Sequence, residues 1–239
     1  MDIFINSVPV WVSILFLICM LIPVFCIATL IKNASLQVDK LNANKNRNIV
    51  LGFYAFYFLY AIIMSLTGVL LVNTLPPRVI LFTTLPLLVF YFLVIFRSKI
   101  YWTLLKEIPL SSLIRIHIFR LIGVFFLVAY FYDALPKTFA FIAGLGDIFT
   151  AITAIFVANL AQRKTPKYKT FVLIWNIIGF WDIISVLVTA ILVTKHSIDF
   201  GTQSLNTIAS NPFILIPAFA PATIVFLHIS IFKKLKMEE

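Results

Sequence analysis

Seven apolar stretches, separated by short polar or proline-containing breaks, set the pattern of this chain. They cover about 8–31, 49–73, 79–96, 112–131, 139–160, 171–193 and 212–232, and a helix needs roughly 20 mostly apolar residues to cross a bilayer core. The pattern predicts an all-α integral membrane protein, a seven-transmembrane helix bundle that forms one domain over 1–239. The first stretch follows MDIFINS, which lacks a basic leader, and its apolar run is too long for a signal peptide, so it reads as a retained span. Between the third and fourth stretches, RSKIYWTLLKEI (97–108) gathers Ile100, Tyr101, Leu104, Leu105 and Ile108 on one helical face. Arg97, Lys99, Lys106 and Trp102 flank that face, which predicts a helix lying on the cytoplasmic leaflet. Ser111 or Ser112 offers a cap for the fourth span after Pro109, and Asn211 before Pro212 offers a start for the seventh.

Charge then orients the bundle. With the N-terminus outside, 15 of the 19 basic residues fall on the cytoplasmic side, among them Lys45, Arg47, Arg97, Lys99, Lys106, Arg163 and Lys234. Arg78, Lys137 and Lys195 remain outside, and Arg120 lies within a span. This bias predicts an outer N-terminus, a cytoplasmic C-terminus and an odd number of spans, in a bacterial inner (cytoplasmic) membrane.

Composition narrows the class further. The 239 residues are 62% hydrophobic and 12% charged, with a mean hydropathy of +1.07, whereas soluble domains are roughly a quarter charged. A soluble enzyme, a disordered chain and a disulfide-stapled secreted domain are excluded. The net charge of +10 belongs to the loops and does not imply a nucleic-acid partner. Cys19 and Cys26 lie two turns apart on one helix, about 10 Å of rise, beyond disulfide reach.

Candidate chemistry comes from ionisable residues inside the spans, each costing about 2.5–3.5 kcal/mol at a helix centre. Spans one to three contain none. Span four carries His117 and Arg120, span five Asp147, span six Asp182 and span seven His228. At 1.5 Å per residue, Arg120, Asp147 and Asp182 fall about 12, 18 and 16 Å from the cytoplasmic edge, near the midplane. His117, Asn176 and His228 form a second layer about 6–8 Å deep. Around Asp147, the small residues Ala140, Gly144, Ala151, Ala154 and Ala158 form a stripe that permits close helix packing. Asn176, Gly179, Asp182, Ser185 and Thr189 make one polar face of span six, and His117 and Arg120 share a face of span four. These faces are expected to converge inside the bundle. Pro217 and Pro221 are expected to kink the seventh span about midway and to free carbonyls that need partners. Trp181, beside Asp182, is expected to pack in the core.

One Arg against two Asp leaves a surplus negative charge, so that a proton or a cation accompanies the carboxylates. The leading expectation is a proton-coupled carrier of a small solute. Arg120, Asp147, Asp182, Asn176, His117 and His228 form its substrate- and proton-binding group, its partners being the lipid bilayer and a small-molecule or ion substrate. It requires no cofactor. Two other readings stand beside it. One is a membrane-embedded redox or lipid-modifying enzyme holding haem at His117 and His228, or a metal at Asp147, Asp182 and His228. The other is a non-catalytic accessory subunit whose buried charges lock the bundle. The chain has no HExxH, GxSxG or P-loop, and no mid-span Lys in the seventh helix for a retinal Schiff base. The segments RLIG, GLGD, WNIIGFWD and LIPAFAPATIVFLH, in spans four to seven, resemble a pattern of bacterial multi-span proteins. That resemblance implies no particular activity or site.

Overall fold

The computed structural model describes residues 7–238, so residues 1–6 of the leader MDIFINS lie outside the described part. Every described element is helical, and no strand occurs among the described residues. The principal helices are α1 (Val10–Val38), α2 (Ala43–Leu66), α3 (Ile80–Ile95), α4 (Lys99–Glu107), α5 (Leu110–Phe131), α6 (Lys137–Gln162), α7 (Tyr168–Phe200) and α8 (Leu215–Met237). Six of them are long and apolar enough to cross a membrane. The count becomes seven if α3 and α4, which meet at an 89° bend, form one broken span.

Local chemistry explains where these helices end. α1 continues past its apolar run to Val38 and stops at Asp39, whose carboxylate accepts from the Asn42 amide nitrogen at 2.6 Å. That hydrogen bond holds the exposed Asp39 carboxyl below the usual carboxylate range. α2 ends at Leu66, short of the expected 73, because Gly68 adopts a left-handed φ of 72° that turns the chain out of the helix. α7 runs on to Phe200, seven residues beyond the apolar boundary, and stops at Gly201 with φ 65°. α5 tightens to three residues per turn over His117–Gly123, which places His117 directly in line with Arg120.

Several expectations are corrected at the helix starts. Pro109 itself occupies the N-cap of α5, and neither Ser111 nor Ser112 caps it, since both lie in the first turn. α8 begins at Leu215, and the Asn211 side chain is buried without capping it. The three-proline segment leaves α8 unbroken. Pro217 falls in the first turn, where its missing N–H would have no intrahelical acceptor, so Pro221 is the one interior proline. The carbonyl that Pro221 frees, that of Pro217, accepts the Thr84 hydroxyl of α3 at 2.7 Å. A neighbouring helix thus supplies the partner that the backbone lost.

α8 is the centre of the bundle. Its most apolar window is 83% buried, against 28% for α1 and for α2, which marks it as the element the others surround. Ala218, Ala220 and Ala222 line it, so flanking backbones approach closely. It touches α2, α3, α4, α5 and α7, while α5, α6 and α7 pack against one another in sequence. The small-residue stripe of α6 is buried along its length, with Ala140, Ala151, Ala154 and Ala158 at zero exposure. Trp181 is a further correction. It is 65% exposed on the outer side of α7, because its neighbours Asn176, Gly179 and Asp182 turn the opposite edge of the helix inward.

Candidate functional site

Arg120 of α5 lies at the heart of the bundle with a fully buried side chain. Its Nε donates to Asp147 Oδ1 of α6 at 2.7 Å, and its Nη2 donates to Asp182 Oδ2 of α7. Nη1 reaches the Gly179 carbonyl at 3.3 Å and His228 Nε2 of α8 at 3.4 Å. One guanidinium therefore joins four helices and directs donors at four acceptors, the use its rigid fork suits best.

His228 closes the arrangement on the α8 side. Its Nδ1 lies 2.8 Å from Asn176 Oδ1, and the Asn176 amide nitrogen donates to the His228 carbonyl at 3.0 Å. That second bond orients the amide, so Nδ1 carries the hydrogen and Nε2 presents its lone pair to Arg120. The close approach depends on Gly179: a Cβ there would lie 2.6 Å from His228 Cε1 and 2.9 Å from Nε2. Gly146 has the same function toward Asp182, whose carboxylate rests against its bare Cα.

All six sequence candidates meet in this region. Arg120, Asp147, Asp182 and His228 are in direct contact, Asn176 is bonded to His228, and the His117 ring lies 4.3 Å from the His228 ring, centroid to centroid. His117 is fully buried, and neither of its nitrogens has a hydrogen-bond partner. The two carboxylates differ in access: the Asp182 side chain is 16% exposed and that of Asp147 is 7% exposed. Ser185, placed by spacing on the same polar face, is exposed and hydrogen-bonds within α7.

The histidine rings touch, a spacing that admits no macrocycle between them and so does not fit bis-His haem ligation. The space among Asp147, Asp182 and His228 is filled by the Arg120 guanidinium. Among the described residues, no three His, Cys, Asp or Glu side chains gather as metal ligands do.

Sequence reasoning passed over several neighbours. Trp175 packs edge-on to His117 at 5.2 Å and donates to Thr153 at 3.0 Å, and the Thr150 hydroxyl is buried beside Gly179 without a partner. Their helical offsets from Asp182 and Asp147, seven and three residues, were the available signal. In the other half of the bundle, Tyr54 and Tyr91 share a hydroxyl contact of 2.6 Å, and Tyr91 reaches Thr223 at 2.9 Å. A tyrosine deep within a span, away from the interfacial belt, signals such a partner.

The fold and the buried charged centre define a multi-span helical protein embedded in a membrane. A family model described as Domain of unknown function (DUF8737) matches residues 76–236, more than half of the chain, and the protein belongs to that family. The match takes in α3 to α8 and so contains the whole charged centre. No curated protein and no solved structure matches the chain.

Proposed function

We propose that the protein is a proton-coupled carrier of a small solute, with seven spans, an outer N-terminus and a cytoplasmic C-terminus. The observation that carries this reading is the single guanidinium shared by two carboxylates of unequal access. One positive and two negative charges in a low-dielectric interior leave a surplus that a proton or cation must balance. Asp182, the more exposed carboxylate, is the exchanging group, and Asp147 is the fixed counter-ion of Arg120. His228, in contact with Arg120, and His117, in contact with His228 and with both nitrogens free, continue the path toward the basic end of the bundle.

The test uses the purified protein in vesicles with a trapped pH-sensitive dye, challenged with panels of small carboxylates, amines and sugars. A carrier gives proton movement that depends on one solute class, and Asp182→Asn abolishes it while the variant stays folded, with a stability loss of no more than about 1 kcal/mol. Silence toward every class, or identical movement in Asp182→Asn, refutes the proposal.

The near-complete pairing of Arg120 favours a second reading, in which the centre only fixes helix packing within an accessory subunit. Under that reading Asp147→Asn alters recovery of the protein with its native partners and no flux changes.

A further inference from the structure

A second feature lies on the other side of α5 and α8. A cavity of about 380 Å³ opens between α1, α2, α3, α4, α5 and α8. That volume falls within the roughly 300–1,000 Å³ of ligand sites. It runs from Asn46 and Ser98 at the basic end of the bundle to Tyr54, Tyr91 and Thr223 in the interior. The eight residues from Asn46 to Tyr54 give it a depth of about 12 Å along α2.

We infer that this cavity is a binding site for one acyl chain of an anionic phospholipid. Its walls are almost wholly aliphatic and aromatic, and the polar side chains of its interior are already paired, which leaves Ser98 and the Asn46 side-chain carbonyl oxygen as polar groups at the mouth. Tyr54, Tyr91 and Thr223 hydrogen-bond one another, Tyr101 pairs with Ser230 at 2.8 Å, and Asn46 donates to Ser35 at 3.0 Å. A polar solute reaching the interior loses its hydration and finds no free partner there, whereas a hydrocarbon chain leaves nothing unsatisfied. The mouth gives the headgroup its sign. Asn46 stands between Lys45 and Arg47, and Ser98 stands between Arg97 and Lys99. Each basic residue near a membrane surface contributes about a fivefold preference for an anionic lipid.

α4 forms the lower wall of this site. It is pinned to α8 by the Tyr101–Ser230 pair and by Lys234, whose Nζ donates to the Lys106 carbonyl at the C-terminal end of α4 at 2.6 Å. Those two contacts hold the amphipathic helix across the cavity without filling it. The site rests on none of the residues assigned to proton exchange.

The experiment uses the full chain in phosphatidylcholine vesicles with a trace of phosphatidylglycerol bearing a diazirine at the end of one acyl chain. After photolysis, crosslinks are mapped by peptide mass spectrometry. Insertion places them on Phe53, Tyr54, Phe90 or Thr223, and unlabelled phosphatidylglycerol competes them away. The same probe on a phosphatidylcholine headgroup labels these residues at least about tenfold less. Val50→Trp, at the wall, abolishes the interior crosslinks while leaving those on the outward Phe56 and Leu59 unchanged. Crosslinks confined to Phe56 and Leu59 in the wild type, equal labelling by the two headgroups, or interior labelling that survives Val50→Trp each overturn the inference.

Discussion

Removing the two carboxylates around Arg120 singly and together reads the charge balance of the centre directly. Asp182→Asn leaves Asp147 at 2.7 Å as a full counter-ion, and the amide oxygen still accepts from the guanidinium. The change exchanges a charge-assisted hydrogen bond for a neutral one, a loss of about 1 kcal/mol. Asp147→Asn leaves Asp182 and costs slightly more, because Asp147 is the less exposed of the two. The double variant leaves a guanidinium of zero exposure with no anion, and stranding one member of a buried pair costs about 3–5 kcal/mol. The double loss therefore exceeds the sum of the singles by about 1–3 kcal/mol. Unfolding in mixed micelles, followed by circular dichroism as the denaturing detergent fraction rises, gives the three values. Distant, independent sites add within about 0.5 kcal/mol. A double variant no worse than that sum would refute the picture of a buried Arg120 cation that needs at least one of the two carboxylates beside it.

Two further outcomes follow from single contacts. Thr84→Val strips the Pro217 carbonyl of its partner and costs about 1–3 kcal/mol, whereas adding Pro221→Ala supplies an intrahelical N–H and recovers most of the loss; a Pro221→Ala background with the same Thr84→Val penalty contradicts that account. Gly179→Ala pushes a methyl group to 2.6 Å from His228 Cε1 and is expected to lower stability by about 1–3 kcal/mol, with an unchanged thermal midpoint as the contrary result.

What the sequence disclosed follows from the solvent. In lipid an unpaired charge is too costly to leave facing outward, so Arg120, Asp147 and Asp182 had to meet, and rise per residue placed them at one depth. The apolar runs marked the helices for the same reason. Hydrophobicity cannot say which helix is central, because lipid tails and protein core are equally apolar. α8, with 83% of its apolar window buried, and α1, with 28%, are both continuous apolar runs. Trp181 was misplaced by the same ambiguity: an exposed indole and a buried one look identical when both neighbours are hydrocarbon. α8 stays continuous through its prolines because Pro217 lies in the first turn of a helix that starts three residues later than Pro212, and Thr84 serves the carbonyl that Pro221 frees. A cavity is also illegible in this way, since it records where six helices fail to fill space.

α5 and α8 together form a partition between the two features. Ile116 and Leu227 face the apolar cavity, and the next residue in each helix, His117 and His228, belongs to the charged centre. A helix is about 10 Å across with its side chains, which is enough to keep hydrocarbon on one side from the ions on the other. The most exposed carboxylate of the centre, Asp182, lies on the α6–α7 side, away from the cavity. The proposed proton-exchange centre and the inferred lipid site therefore occupy separate parts of the bundle. Because no side chain is common to both, Val50→Trp and Asp182→Asn act on different observables. Loss of interior lipid crosslinks with intact solute-dependent proton movement, and the reverse for Asp182→Asn, is the pattern this partition requires.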